Sequence, residues 1–213
     1  MKRVAILIVG LAVVAATANA TIVIDAPTVQ DNTTWSAAPD AVSNTDHIFV
    51  RDQTGSDVHA YIEFGLSGLS GYSSSDIVSA EMKLLVDYNN NGGQTAKIDR
   101  IDADWSTSTL TWNNAPGVTD IGVTTTAFGG ANGWETIDIT DLVKSWLDGT
   151  ANEGVRISYL PSAYTHQANI RSSEYAGTDS DPYLQVEVIP EPATLGLLVV
   201  GASGAMLIRR MRL

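Results

Sequence analysis

Cysteine is absent from the 213 residues. No disulfide staples the fold, so stability has to come from core packing or bound ions, and thiol catalysis and thiolate metal sites are excluded. Basic residues are scarce: 12 Lys and Arg stand against 24 Asp and Glu, a formal charge of −12. Between Thr21 and Val188 the imbalance is steeper, with 7 basic and 23 acidic residues and a charge of −16, because five basic residues sit in the two ends. So acidic a body repels nucleic acid and anionic membrane surfaces, and no nucleic-acid partner is expected. Histidine is limited to His47, His59 and His166. No two of them stand at metal-ligand spacing, and neither H-E-x-x-H nor G-x-S-x-G occurs. The carboxylates fall mostly in turns and on the polar sides of strands, whereas a glycosidase acid needs a raised pKa in a partly buried cleft. No catalytic residue is assigned, and the chain is read as a non-enzyme.

What the chain does have is most distinctive at its ends. Lys2 and Arg3, the apolar stretch Val4 to Ala16, and Ala18-Asn19-Ala20 form the three regions of a secretory signal peptide over residues 1–20. At the other end, Pro190-Glu191-Pro192 precedes an apolar run from Ala193 to Ile208, followed by Arg209, Arg210 and Arg212. Sixteen helical residues span about 24 Å, a little short of a hydrocarbon core, and flanking arginines can snorkel to make up the difference. The cationic end faces the cytoplasm by the positive-inside rule. The motif, span and basic stop over residues 189–213 together resemble the PEP-CTERM sorting signal. That resemblance implies a Gram-negative bacterium, transient anchoring in the inner membrane, and cleavage of the tail by an exosortase-type protease.

The body, residues 21–188, is the size of one domain. Its dominant pattern is alternation. Ala60, Ile62, Phe64 and Leu66 face one way and His59, Tyr61 and Glu63 the other; Ala80, Met82, Leu84 and Val86 alternate with Glu81, Lys83 and Asp87. Val155, Ile157 and Tyr159, and then Leu184, Val186 and Val188, repeat the pattern. Period-two alternation with one polar side predicts half-buried antiparallel strands, separated here by Gly, Asn, Ser and Asp clusters. Eight to ten such strands predict an all-β, antiparallel, jelly-roll-like sandwich. One segment departs from this: Leu142, Val143, Trp146 and Leu147 have helical spacing, with Thr140 as expected N-cap and Gly149 as terminator. The apolar side of that helix is expected to plug one end of the sandwich, with Trp146 in the core.

Several segments resemble the DNRLRE-domain, or disaggregatase-related, family, which overlaps carbohydrate-binding module family 96. They are Ala60 to Ser67, Ile77 to Leu84, Trp105 with Thr111-Trp112-Asn113-Asn114-Ala115-Pro116, Gly133-Trp134 with Ile137 to Val143 and Trp146, Ser172-Ser173-Glu174, and Pro182 to Val186. The resemblance implies a β-sandwich and non-catalytic binding of extracellular polysaccharide. It also shows two departures, since the family often has a basic residue where this chain has His59 and Ser-Arg-Glu where it has Ser172-Ser173-Glu174. Both changes remove positive charge.

Sugar recognition needs flat aromatic surfaces for C–H faces and planar polar groups for hydroxyls. Trp105, Trp112, Trp134 and Trp146 are read as structural because they fall within the matching segments. Trp35, Tyr88, Tyr164 and His166 are the candidate platform. If an ion is bound, calcium is expected, held by hard oxygens from Asp25, Asp31, Asp46, Asp179 and Asp181. The functional expectation is an exported surface or matrix protein associating with extracellular polysaccharide, as in biofilm. The alternatives are a structural surface protein without glycan binding and a small polysaccharide-degrading enzyme. Mass spectrometry of the exported protein is expected to find Thr21 as the first residue and no peptide containing Arg209 or Arg210. Recovery of Met1 would overturn the leader assignment.

Overall fold

The structure is a computed structural model that describes residues 21–43, 45–90, 94–126, 128, 132–162 and 165–189. The leader over 1–20, the motif Pro190-Glu191-Pro192, the span 193–208, Arg209, Arg210 and Tyr164 lie outside the described residues. Among the described residues no helix is long and apolar enough to cross a membrane.

Among the described residues the alternation becomes ten strands: β1 (Ile22–Trp35), β2 (His47–Asp52), β3 (Val58–Phe64), β4 (Ile77–Asn90), β5 (Ala96–Ile101), β6 (Val118–Thr125), β7 (Gly133–Asp138), β8 (Val155–Tyr159), β9 (His166–Arg171) and β10 (Tyr183–Val188). Every pairing is antiparallel. Neighbours run β1-β10-β4-β9-β2-β3-β8-β5-β6, with β7 on the free side of β4 and a further β1–β3 pairing. That last pairing returns β3 to β1, so the strands curl into a barrel-like sandwich, as the alternation predicts.

The curl depends on the two fourteen-residue strands. β1 pairs β10 through Ile22–Pro27 and β3 from Thr28 onward, with an irregularity between Thr28 and Gln30. β4 pairs β10 through Ile77–Lys83 and β9 from Val86, with a shift between Val86 and Tyr88. Bulges increase local twist and bend a strand, which lets one strand serve two neighbours in turn. The inward residues Ala60, Ile62, Phe64, Met82, Leu84, Ile98, Ile157, Ile170 and Leu184 meet in one core. A second, smaller cluster lies outside the sheet, where Trp105 and Leu110 cover Tyr61 and Ile101.

The helix α1 (Thr140–Leu147) forms where its spacing predicts, and buries Leu142, Val143 and Trp146. Its start differs from expectation. Thr140 is the first helical residue, not the cap, and its hydroxyl accepts from the Ala80 amide at 2.9 Å and donates to Asp138 at 2.6 Å. Asp138 accepts the Thr140 amide at 2.8 Å, so the preceding strand supplies the acceptor that a capping side chain would have provided. A second correction concerns Trp134: it is 45% exposed and outside the core. The conspicuous Thr-Trp-Asn-Asn segment is a clamp. Asn114 ties Thr111 and Thr109 at 2.7 Å each, and Asn113 reaches Pro39 and Asp40.

Gly154 is held in the left-handed region at φ 84°, where β8 is about to begin. A Cβ there would stand 2.1 Å from the Ile62 carbonyl oxygen on β3. Gly149, at φ 103°, has open space around it. Gly149→Ala is therefore expected to cost only the left-handed penalty of about 1–2 kcal/mol. Gly154→Ala must also move backbone and is expected to cost about 3 kcal/mol or more. Urea unfolding of the two variants checks the ordering.

Candidate functional site

β2, β9 and the C-terminal half of β4 lie side by side, and their core-facing residues Ile48, Val50, Ala168, Ile170 and Val86 fix which residues face out. The outward ones fall in three rows by register. His47 faces Arg171, Phe49 faces Asn169 beside Tyr88, and Arg51 faces Gln167 beside Asn90. The bulge after Val86 turns both Asp87 and Tyr88 outward, so Asp87 completes the first row. Tyr88 is 46% exposed; the others are half-buried.

An aromatic spine runs along one side of this surface. Trp35, at the end of β1, lies 5.5 Å from Phe49; Phe49 lies 6.2 Å from His47, and His47 lies 5.3 Å from Tyr175. Each end carries a guanidinium: Arg51 is 5.0 Å from the Trp35 ring centre and Arg171 is 4.2 Å from that of Tyr175. Such contacts hold the rings in place at a modest energetic gain. Two of the seven basic residues of the body are thus on this surface. Planar amides fill the adjacent rows, where Gln167 donates to Asn169 at 2.8 Å and Asn90 accepts the Gln167 backbone amide at 2.7 Å.

His47 is fixed between Asp46 at 2.9 Å and Asp87 at 2.8 Å, and Asp87 also accepts from Arg171 at 3.3 Å. Burial alone would lower the His47 pKa, but the hydrogen bonds to Asp87 and Asp46 outweigh it and the net shift is upward. His59 behaves in the opposite way. Burial, helped by the Arg156 charge, lowers its pKa to about 4, and its ring stacks on Trp112 at 4.6 Å. It is uncharged at neutral pH and belongs to the outer clamp.

The sequence-derived candidates scatter. Trp35 and Tyr88 lie on the surface just described. His166 is 8% exposed and packs on Tyr159, on the opposite side of β9 from Gln167 and Asn169. Among the calcium candidates, Asp46 is engaged with His47, and Asp25 and Asp181 share the wall of a 380 Å³ cavity with Pro27, Thr28 and Tyr183. Asp179 stands close enough to Asp181 for its charge to raise the Asp181 pKa, a lesser cause than burial. Among the described residues no group of three or more acidic or histidine side chains is placed to hold a metal ion. Sequence reasoning missed Phe49, Arg51, Gln167, Asn169, Arg171 and Tyr175. Five of them carry the same period-two signal as the recognised strands, but with amide, aromatic and arginine side chains on the polar side.

The outer surface of β2, β9 and β4 thus combines a row of rings with planar amides. The chain belongs to carbohydrate-binding module family 96, whose pattern it matches over residues 28–188. It is similar to a gellan lyase of a Bacillus species, 28% identical over 192 residues, covering 89% of this chain and 8% of the lyase. It also resembles the tRNA nuclease WapA of Bacillus subtilis, 25% identical over 137 residues, covering 63% of this chain and 6% of the nuclease. The chain therefore spans less than a tenth of either relative's length.

Asp31 anchors the loop that carries Tyr175. It is 1% exposed, and one of its carboxylate oxygens accepts the Ser173 amide at 2.8 Å while the other has no partner. Burial, reinforced by the Glu174 charge and opposed by the Ser173 amide, raises its pKa from 3.8 to about 7. The folded state thus holds the proton more tightly than the unfolded state. The stabilisation is complete below the unfolded pKa and is lost as pH rises through the folded one. A pK unit corresponds to about 1.4 kcal/mol, and about 1 kcal/mol moves the Tm of a domain this size by roughly 2–4 °C. Asp31→Asn keeps the acceptor for Ser173 and removes the titration. Between about pH 5 and pH 8 the wild-type Tm is expected to fall several degrees relative to that of the variant, read by calorimetry.

Proposed function

We propose that this protein is an exported, non-catalytic surface or matrix component that associates with extracellular polysaccharide through the outer surface of β2, β9 and β4. The observation that carries the reading is the spine Trp35–Phe49–His47–Tyr175 flanked by Gln167, Asn169 and Asn90 on one outer surface. Rings stack on the C–H faces of sugars, and amides offer a donor and an acceptor in one plane to neighbouring hydroxyls. The name of the gellan lyase places that relative on a polysaccharide, and the shared stretch is a small part of it, which suits a binding module. The nuclease relative does not carry its substrate across, because a body with a charge of −16 repels nucleic acid.

Catalysis finds little support in the carboxylates. A groove of about 680 Å³ lined by β4, β6 and α1 contains Asp138, whose pKa is lowered by hydrogen bonds from the Thr140 hydroxyl and amide. A general acid needs the opposite shift. Asp31 has a raised pKa but is sealed from any substrate, which leaves Asp181, raised by burial beside Asp25 in the 380 Å³ cavity, as the carboxylate an activity assay has to clear. The PEP-CTERM-like tail and the leader complete the reading: export, transient inner-membrane anchoring, processing by an exosortase-type protease, and release to the surface or matrix of a Gram-negative bacterium.

Affinity electrophoresis of the purified protein against a panel of polysaccharides tests the function. Trp35→Ala and Phe49→Ala are each expected to weaken binding at least tenfold, about 1.4 kcal/mol. No reducing sugar is expected to be released. Saturable binding unaffected by either substitution would sink the assigned surface, and steady sugar release would favour an enzyme.

A further inference from the structure

A second pair of rings lies on the outer side of the same sheet, away from the spine. Trp134 on β7 is 45% exposed, and its ring stands 5.5 Å from that of Tyr183 on β10, at 71°. β4 runs between them. Leu85 is the register partner of Trp134, and Lys83 is the partner of both Tyr183 and Thr136. The polar groups around the pair are already ordered, since Lys83 bonds Glu81 at 2.6 Å and Thr136 at 3.0 Å.

β4 also connects this pair to Tyr88, on the same outer surface as the spine. Its outward residues run Glu81, Lys83, Leu85, then Asp87 and Tyr88 past the bulge, then Asn90. At about 3.4 Å per residue, Leu85 is roughly 10 Å from Tyr88 along the strand, and Lys83 roughly 17 Å. The Trp134–Tyr183 pair astride Lys83 and Leu85, and Tyr88 at the near side of the β2–β9–β4 surface, therefore lie along β4, with the spine across β9 on β2. The pair and the spine differ in charge. The spine has Arg51 and Arg171, whereas Lys83 near Trp134 is neutralised by Glu81, with Asp138 nearby on the partner strand of β4. This end is suited to sugar units without an acidic group.

We propose that Trp134 and Tyr183 form a distal subsite for uncharged sugar units of the same polysaccharide chain that lies on the β2–β9–β4 surface, so that binding strengthens with chain length. The subsite rests on the glycan-binding reading above. Its contribution appears only when the chain is long enough to reach along β4 from the spine.

Calorimetric titration of the full-length protein with gellan, cellulose and dextran oligosaccharides, from disaccharide to dodecasaccharide, tests it. The wild type is expected to gain at least tenfold in affinity between the shortest and longest oligosaccharides of the polymer it binds. Trp134→Ala should lose most of that gain while binding the shortest ligand within twofold of wild type. Trp134→Phe should keep about half of the gain, and Phe49→Ala should weaken every length. The subsite is overturned if Trp134→Ala binds long chains like wild type, or weakens short and long ones equally. It is also overturned if wild type shows no length dependence, or if sedimentation shows a dimer that Trp134→Ala dissociates. A wild type that binds no member of the panel overturns the glycan reading and the subsite together.

Discussion

Buried backbone amides and carbonyls have to be paired, and in this domain that requirement falls mainly on β1 and β4. Each is fourteen residues long, and each changes partner part-way along. A straight strand would leave half its ladder without a neighbour. The irregularities at Thr28–Gln30 and Val86–Tyr88 bend the strands where the partner changes. Closure through β1–β3, the single enclosed core and the position of the outer surface all follow. The second bulge has an additional effect: it turns two consecutive residues outward, so that Asp87 can orient His47 and Arg171 while Tyr88 stands beside Asn169.

Charge is used locally in this acidic body. Lys97 and Arg156 hold Asp99, which is fully buried, at 2.9 and 2.5 Å. Removing either would leave a buried carboxylate undercompensated, which is costly. Lys83 pairs Glu81 and Arg100 pairs Asp102, both near the surface, where such pairs contribute little. Arg51 and Arg171 differ in that each lies against a ring. Their guanidinium groups are planar and weakly hydrated, so each can lie on a ring while Arg51 also donates to Ser56 and Arg171 to Asp87.

Much of this was legible in the sequence because alternation is a direct record of which side of a strand is buried. β3, β4, β8 and β10 were readable from it, as was the helix, whose spacing placed Trp146 correctly in the core. The start of the helix was not, because Thr140 bonds Ala80 on β4, a partner sixty residues away. The exposure of Trp134 was not legible for a related reason. Lying in a segment that resembles a family says nothing of which side of an edge strand a ring occupies. The candidate surface was only partly visible: Trp35 and Tyr88 lie on it, but their neighbours come from β2 and β9, and nothing local in the sequence brings those strands beside β4. Asp31, a calcium candidate by sequence, is a buried strand residue that pins the Tyr175 loop.

Ile22 and Val188 are register partners, so the two ends of the domain leave from adjacent antiparallel strands. Pulling those ends apart would open the β1–β10 ladder one rung at a time, like a zip. A load entering through β4 and leaving through the end of β10 acts along the ladders instead, and their rungs resist together. The same hydrogen bonds are mechanically weak in the first geometry and strong in the second. A domain without a single covalent cross-link can therefore bear tension, provided it is gripped by its sheet and held by its C-terminal end.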